Sequence, residues 1–262
     1  MQPTVSIIVP TYNRPDLLRA CLAALAQDPQ LHKEVIVVND AGDDVSTVLA
    51  PFEGAFALRL IDLATNRGHV ASRNEGIAVA RADVIVLCDD DDILLPGHVR
   101  DVVGAVSQTP SQVIYTDAEI VTYRMTGHCR EPLKRRLFAY AYDPTLLRKW
   151  NTIIPSGIAY ARSWHDRLGL FDEEVYHYWD WDFFLRAGAI APLRRIPQAS
   201  VLYMVSDRGH NLSADPNSMS SHLLRLQEKH QLGPLPTSSF ALMQQEPALA
   251  GSQRTTEVLW DG

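Results

Sequence analysis

Asp83-Val84-Ile85-Val86-Leu87-Cys88-Asp89-Asp90-Asp91-Asp92 decides how this chain folds. The apolar run is too short for a helix and rich in branched residues. Without alternation it suits a strand buried on both faces, as in a parallel sheet. It ends on four consecutive carboxylates. Three runs upstream have the same character: Val5-Ser6-Ile7-Ile8-Val9 before Pro10, Glu34-Val35-Ile36-Val37-Val38 before Asn39-Asp40, and Ala57-Leu58-Arg59-Leu60-Ile61.

The segments between these runs read as helices. Asn13 can cap the first, and Pro15 fits its first turn, where a missing N–H costs nothing. Leu17, Leu18, Cys21, Leu22 and Leu25 form its apolar stripe. Val70, Ala71, Asn74, Ile77 and Ala78 form a second stripe. Pro96 opens a third helix with Val99, Val102, Val103 and Val106 inside. Strand–helix alternation implies an α/β fold: a mostly parallel sheet, right-handed crossovers and helices on both faces. Ligands bind such sheets at the carboxyl ends of strands. Those ends carry Thr11-Tyr12-Asn13, Asn39-Asp40 and Asp89 to Asp92. Further on, Gln112-Val113-Ile114-Tyr115 reads as another strand, and residues near Asp180–Ala187 as an amphipathic helix. Lys134-Arg135-Arg136 beside Leu137-Phe138 reads first as a solvated basic loop and second as a contact to an anionic lipid carrier at a membrane surface. Residues 233–262, with Pro234, Pro236, Pro247 and many Ser, Gln and Ala, read as a loosely ordered tail.

Composition narrows the classes. The chain has 262 residues, 24 Lys+Arg and 31 Asp+Glu, so its net charge is −7. That acidity argues against a nucleic-acid partner. A hydrophobic content of 46% excludes a largely disordered chain. No apolar run approaches the roughly 18 residues of a membrane span. Ile7-Ile8-Val9 is too short for a signal peptide and lacks a basic stretch before it. Cys21, Cys88 and Cys129 are scattered, which excludes a disulfide framework and a cysteine zinc site. A cytoplasmic location is therefore expected.

The candidate chemistry is carboxylate chemistry. Four adjacent aspartates repel unless a cation or solvent relieves them, and oxygen-rich sites select Mg²⁺ or Mn²⁺. An EF-hand is a poor alternative, because Leu94 stands where its glycine belongs and Arg100 where its glutamate belongs. Asn66-Arg67-Gly68-His69 and Arg73 put cations at a helix start, which favours phosphate. No GxGxxG follows the first strand and no P-loop motif occurs. Tyr176-His177-Tyr178-Trp179-Asp180-Trp181-Asp182-Phe183-Phe184 sets two carboxylates among six aromatic rings, a composition that suits sugars as well as it suits a core segment. If the segment is helical, Asp180 and Asp182 differ by about 200° around the axis, so one of them faces a cleft.

These stretches together resemble family 2 glycosyltransferases of the GT-A fold. Val5 to Arg14 looks like the opening strand, and Glu34 to Asp40 like the second strand with its nucleotide-contacting aspartate. Ala71-Ser72-Arg73-Asn74-Glu75-Gly76-Ile77 looks like the family's ARNxGI helix, and Asp89 to Asp92 like its DxD metal motif. Gly169-Leu170-Phe171-Asp172-Glu173 with Asp180-Trp181-Asp182 looks like the GxFDE…ED acceptor segment. Two departures stand out: Trp179 replaces an acidic residue, and Ala41-Gly42-Asp43 replaces Gly-Ser-Thr.

The resemblance implies a GT-A domain over residues 1–232, with a nucleotide-binding half (1–120) and an acceptor-binding half (121–232). It implies that Tyr12 stacks on the nucleobase beside Pro10 and Thr11, and that Asp40 accepts from the base. Arg67 and Arg73 would approach phosphates or sugar, and Asp89 and Asp90 would lie by the ribose and donor. Asp91 and His210 would bind Mn²⁺ or Mg²⁺, and Asp180 would be the general base. The implied reaction is inverting transfer from a nucleotide-diphosphate sugar, UDP-linked first, to a glycan, lipid-linked or small-molecule acceptor. A homo-oligomer is left open. The competing readings are a sugar-nucleotide or glycan-binding module without turnover and a sugar-phosphate nucleotidyltransferase. The latter lacks its Gly-rich loop and Lys after the first strand.

Overall fold

The computed structural model describes residues 2–28, 31–208, 216–243 and 245–261. The first half of the chain runs β1 (Val5–Thr11), α1 (Pro15–Ala26), β2 (Lys33–Asn39), α2 (Ser46–Leu49), β3 (Ala57–Asp62), α3 (His69–Val79), β4 (Val84–Leu87), β5 (Ile93–Leu94) and α4 (His98–Gln108). The rest adds β6 (Ile114–Thr126), β7 (Cys129–Phe138), α5 (Pro144–Leu147), β8 (Ala159–Ala161), α6 (Trp164–Leu168), α7 (Trp179–Gly188), β9 (Arg194–Ser206), α8 (Pro216–His230), α9 (Phe240–Met243) and β10 (Glu257–Val258).

Among the described residues the strands form one sheet, in the order β10-β9-β6-β8-β4-β1-β2-β3, with β5 on β9 and β7 on β6. β1 to β4 pair in parallel, with Ile8 opposite Ile36 and Leu87. The fold is therefore the expected α/β sheet, turned mixed by β8, which runs antiparallel to both β4 and β6. β1, β2 and β4 each feed two cores, because successive side chains leave opposite faces. Ile7, Val9, Val35 and Val37 pack with Leu18, Leu22 and Val102 under α1 and α4. Ile8, Ile36 and Val38 pack with Val70, Phe183 and Leu226 under α3, α7 and α8. Double-sided burial explains why these strands carry no polar alternation.

Three expectations are corrected. Asn13 does not cap α1. It sits at φ 54, and its Oδ1 accepts from the Asp43 N–H at 2.8 Å, tying β1's end to the turn after β2. Arg14 takes the cap position instead, with Pro15 in the first turn as expected. Lys134-Arg135-Arg136 is not a loop. It lies in β7, paired antiparallel to β6, and Arg135 binds Glu119 at 2.8 Å. Residues after 233 are not loose where described. Leu249 is fully buried, Arg254 N–H donates to the Ala139 carbonyl at 2.9 Å, and β10 adds to the sheet edge. Sparse apolar anchors and backbone pairing hold this segment, in place of a periodic stripe. No helix among the described residues is long and apolar enough to cross a membrane.

Candidate active site

A cleft with about 1540 Å³ of space, open to solvent, lies at the carboxyl ends of β1, β2 and β4. Pro10, Thr11, Tyr12, Asp40, Arg73, Asp89, Asp90 and Asp91 line one half of it. Asn151, Tyr178, Trp179, Asp180 and Trp181 line the other. Parallel packing delivers the first set, because β1, β2 and β4 all end on this edge.

The four aspartates after β4 divide by orientation. One carboxylate oxygen each from Asp89, Asp91 and Asp92 lies within 4.8 Å of the others. Asp92 is fully buried; its Oδ1 accepts from the Met204 N–H at 3.0 Å, while Oδ2 has no partner among the described residues. Three converging hard oxygens, one of them orphaned in the interior, fit a Mg²⁺- or Mn²⁺-sized cation. Asp90 turns elsewhere: it accepts from Thr11 Oγ1 at 2.7 Å and from Arg14 Nη1 at 3.2 Å. Arg14 also reaches Asp91 at 3.2 Å. Burial, then the neighbouring charge of Asp91, pushes the Asp90 carboxyl up to about 7. Burial also raises Asp91, and raises Asp92 well above the usual range.

Tyr12 is 47% exposed and presents a free ring on the cleft wall. Asp40 is buried, and both of its oxygens are held by backbone: Arg67 N–H at 2.8 Å and Gly68 N–H at 2.7 Å. It thereby shapes the turn into α3, where Gly68 adopts φ 88 and a Cβ would meet Tyr176 at 2.5 Å. Arg67 is not brought to the cleft lining. Its guanidinium pairs outward with Glu75 at 2.6 Å and Glu173 at 3.9 Å. Arg73 is the buried cation of the site. It binds Asp89 and the His69 carbonyl and stacks over Trp179, 4.2 Å from the ring centroid. Trp179, the departure noted in the sequence, therefore supplies the face on which Arg73 rests.

The aromatic segment resolves its two carboxylates. Asp180 is in the first turn of α7, buried, and on the cleft. Its Oδ2 accepts from Asn151 Nδ2 at 2.7 Å. Burial pushes its carboxyl up to about 6, against the opposing pull of the Trp181 N–H, Asn151 and Arg73. Asp182 is fully buried on the other side of α7. It binds Arg186, Lys229 and His230, each at 2.7 Å. Hydrogen bonds from His230 and Lys229 and the charge of Arg186 bring it down to about 2 despite burial. His210 lies outside the described residues.

Sequence reasoning missed Asp92 as part of the converging set, although the acidic run contained it. It missed Arg14, which stood in the quoted opening strand. It missed Asn151 and Tyr203, for which no local signal existed. Tyr203 comes from β9 onto the cleft, and its phenol is pushed well up by burial and by the charges of Asp92, Asp91, Asp89 and Asp180.

Comparison with known proteins agrees with this layout. The model of glycosyl transferase family 2 matches residues 6–169. An uncharacterized glycosyltransferase, YwdF, of Bacillus subtilis (strain 168) is 41% identical over 259 residues, covering 98% of this chain and 96% of that one. Among solved structures, S. aureus TarS 1-349 in complex with UDP-GlcNAc matches with a TM-score of 0.64 at 17% identity, over 86% of this chain and 66% of that one. The mannosyltransferase PcManGT from Pyrobaculum calidifontis, in complex with GDP-Man and Mn²⁺, matches with a TM-score of 0.61 at 18% identity, over 90% and 66%. At these identities the structural likeness concerns the fold.

Proposed function

Since the chain belongs to glycosyl transferase family 2, we propose that it transfers a sugar from a nucleotide-diphosphate donor to an acceptor hydroxyl with inversion at the anomeric carbon. One observation carries the reading. Of two carboxylates two residues apart, one is held by Arg186, Lys229 and His230 and brought down to about 2, and the other is buried on the cleft with its carboxyl near 6. A group poised there is ionised at neutral pH and still basic enough to take a proton.

The base of the nucleotide stacks on Tyr12, and Asp40 keeps lone pairs for a base N–H beyond the two backbone donors it already serves. Arg73 and Arg14 bring positive charge toward the diphosphate. Asp89, Asp91 and Asp92 would hold Mg²⁺ or Mn²⁺, which when bound stabilises the negative charge on the leaving diphosphate. Asp180 takes the proton of the acceptor hydroxyl as that oxygen bonds to the anomeric carbon. The bond from that carbon to the phosphate oxygen breaks, and its electron pair leaves with the nucleoside diphosphate. A single displacement needs one carboxylate on the acceptor side, and Asp180 is the one the described cleft offers there. A UDP-sugar is the first donor to examine and a GDP-sugar the second, since solved relatives of this fold hold each.

The test is calorimetric titration of UDP and GDP with and without Mn²⁺. Wild type is expected to bind one nucleotide in a Mn²⁺-dependent way. Asp91→Ala should lose that dependence and keep its fold, because the site is on a loop. Unchanged Mn²⁺-dependent affinity in Asp91→Ala would remove the metal assignment. Nucleotide binding without any release of nucleotide from UDP- or GDP-sugars would favour a binding module instead.

A further inference from the structure

Arg73 reaches the cleft lining from α3, and its setting is unlike that of a surface arginine. Its side chain is 4% exposed. Nη1 donates twice to one residue, to the His69 imidazole Nδ1 at 2.6 Å and to the His69 carbonyl at 2.9 Å. The two residues meet because positions four apart share a helix face. Nη2 donates to Asp89, and the guanidinium lies 4.2 Å from the Trp179 ring centroid. Nε is buried and has no hydrogen-bond partner among the described residues.

The contact fixes the state of His69. A guanidinium offers donors only, so Nδ1 must supply a lone pair, and the imidazole is neutral with its proton on Nε2. Burial, and after it the charge of Arg73, hold the imidazole well below its usual range and preserve that state. The ring is set edge-on to Tyr176 at 4.3 Å and to Trp179 at 6.3 Å. Among the described residues Asp89 is the carboxylate that pairs with Arg73, and Asp89 is also one of the three that converge as a cation site. A cation there would share the charge of Asp89. The other holds on Arg73 are neutral: an imidazole lone pair, a carbonyl and an indole face. Such groups fix the direction of a guanidinium without cancelling its charge, whereas a carboxylate in the place of either side chain would do both.

Resting on the glycosyl-transfer reading above, we propose that His69 is a positioning residue for that reaction. Its Nδ1 holds the Arg73 guanidinium over Trp179 and directs an uncancelled positive charge at the phosphate whose oxygen takes the electron pair of the breaking bond. A charge fixed in place before the bond breaks stabilises the leaving group without a cost of reorganisation. In the released nucleoside diphosphate that group is the terminal phosphate, and the buried Nε–H is a donor still unused for it. A nucleoside monophosphate lacks the group. Comparing the two ligands therefore separates the role of His69 from general damage to the nucleotide site.

The test is calorimetric titration of UDP and GDP with Mn²⁺ on the full chain, with UMP and GMP measured by displacement of the bound diphosphate. If neither diphosphate binds wild type, the glycosyl-transfer reading falls and this inference falls with it. His69→Leu keeps apolar bulk against Tyr176 and removes the acceptor. It should weaken the diphosphate about tenfold and the matching monophosphate by less than about twofold. His69→Asn returns an acceptor oxygen near the place of Nδ1 and should recover the diphosphate to within about threefold of wild type. His69→Asp returns the acceptor together with a negative charge. It should bind the diphosphate about tenfold more weakly than His69→Asn, a comparison that stands even if His69→Leu fails to fold. The proposal is overturned if His69→Leu binds the diphosphate as wild type does, or if it loses the monophosphate equally. It is also overturned if His69→Asn and His69→Asp bind the diphosphate alike. In these outcomes wild type still binds the diphosphate, so the reading of the site stands and His69 alone loses its role.

Discussion

Asp180 and Asp182 share a helix and differ in fate because α7 turns them to different neighbours. Their signs in stability are opposite. The Asp180 carboxyl moves from 3.8 to about 6 on folding, so its ionisation penalises the folded state, fully so above about pH 6. Asp180→Asn should lose transfer by at least about a hundredfold. It should also gain about 1–3 kcal/mol of stability at pH 8, a gain that vanishes below pH 3.8, where both states hold the proton. Urea unfolding at pH 8 and at pH 3 reads this directly. In wild type the transfer rate should fall as pH drops through about 6. Asp182 is depressed to about 2, so its stabilisation is present above 3.8 and is lost as pH falls through 2. Asp182→Asn should cost about 1–3 kcal/mol at pH 7, with turnover per folded molecule changing far less than in Asp180→Asn. The opposite ranking of turnover would make Asp182 the base.

Among the elements, α3 shows how a proposed nucleotide contact and a helix start share one residue. Asp40 satisfies the N–H groups of Arg67 and Gly68 just before His69 opens the helix. Those donors would otherwise face the interior without partners. Asp40→Ala should therefore destabilise the protein by about 1–3 kcal/mol as well as weaken nucleotide binding. Denaturant midpoints and UDP titration measured on the same sample separate the two effects. A variant that loses affinity with no shift in midpoint would show that the backbone contacts are incidental. The sequence marked Asp40 as a site residue but could not reveal this second duty, because its partners lie 27 and 28 residues away. The same limit applied across the acidic run. That it could hold a cation was an expectation from four adjacent carboxylates. Which three converge depends on Thr11 and Arg14 drawing Asp90 aside, and on Met204 in β9 holding Asp92.

At the scale of the whole molecule, legibility followed the kind of force holding each part. β1, β2 and β4 were readable because burial on both faces leaves largely apolar runs in the chain itself, and β3, the half-buried edge strand, because Leu58, Leu60 and Ile61 still pack against those cores. The C-terminal segment was not, because its ties are single contacts to distant strands. Arg195 donates to the Thr255 carbonyl at 2.9 Å, and Arg135 to the Trp260 carbonyl at 2.6 Å. Arg135 also lies over the Trp260 ring at 4.3 Å. Polar composition around such anchors reads as disorder unless the partner strands are known. Two truncations weigh the anchors. Ending the chain at residue 250 removes β10 and the Trp260 contacts. β9 keeps its pairing with β6 and β5, so a loss of about 1–3 kcal/mol is expected, with nucleotide binding retained. Ending it at residue 236 also removes Met243 and Leu249, which are buried in the core under α1 and α4. Each is comparable to a large-to-small core change of about 2–5 kcal/mol, so this form should melt far earlier and expose Phe138. Thermal melts of the three lengths give the ranking. Equal melting of the 236-residue form and the full chain would mean that the segment contributes no stability.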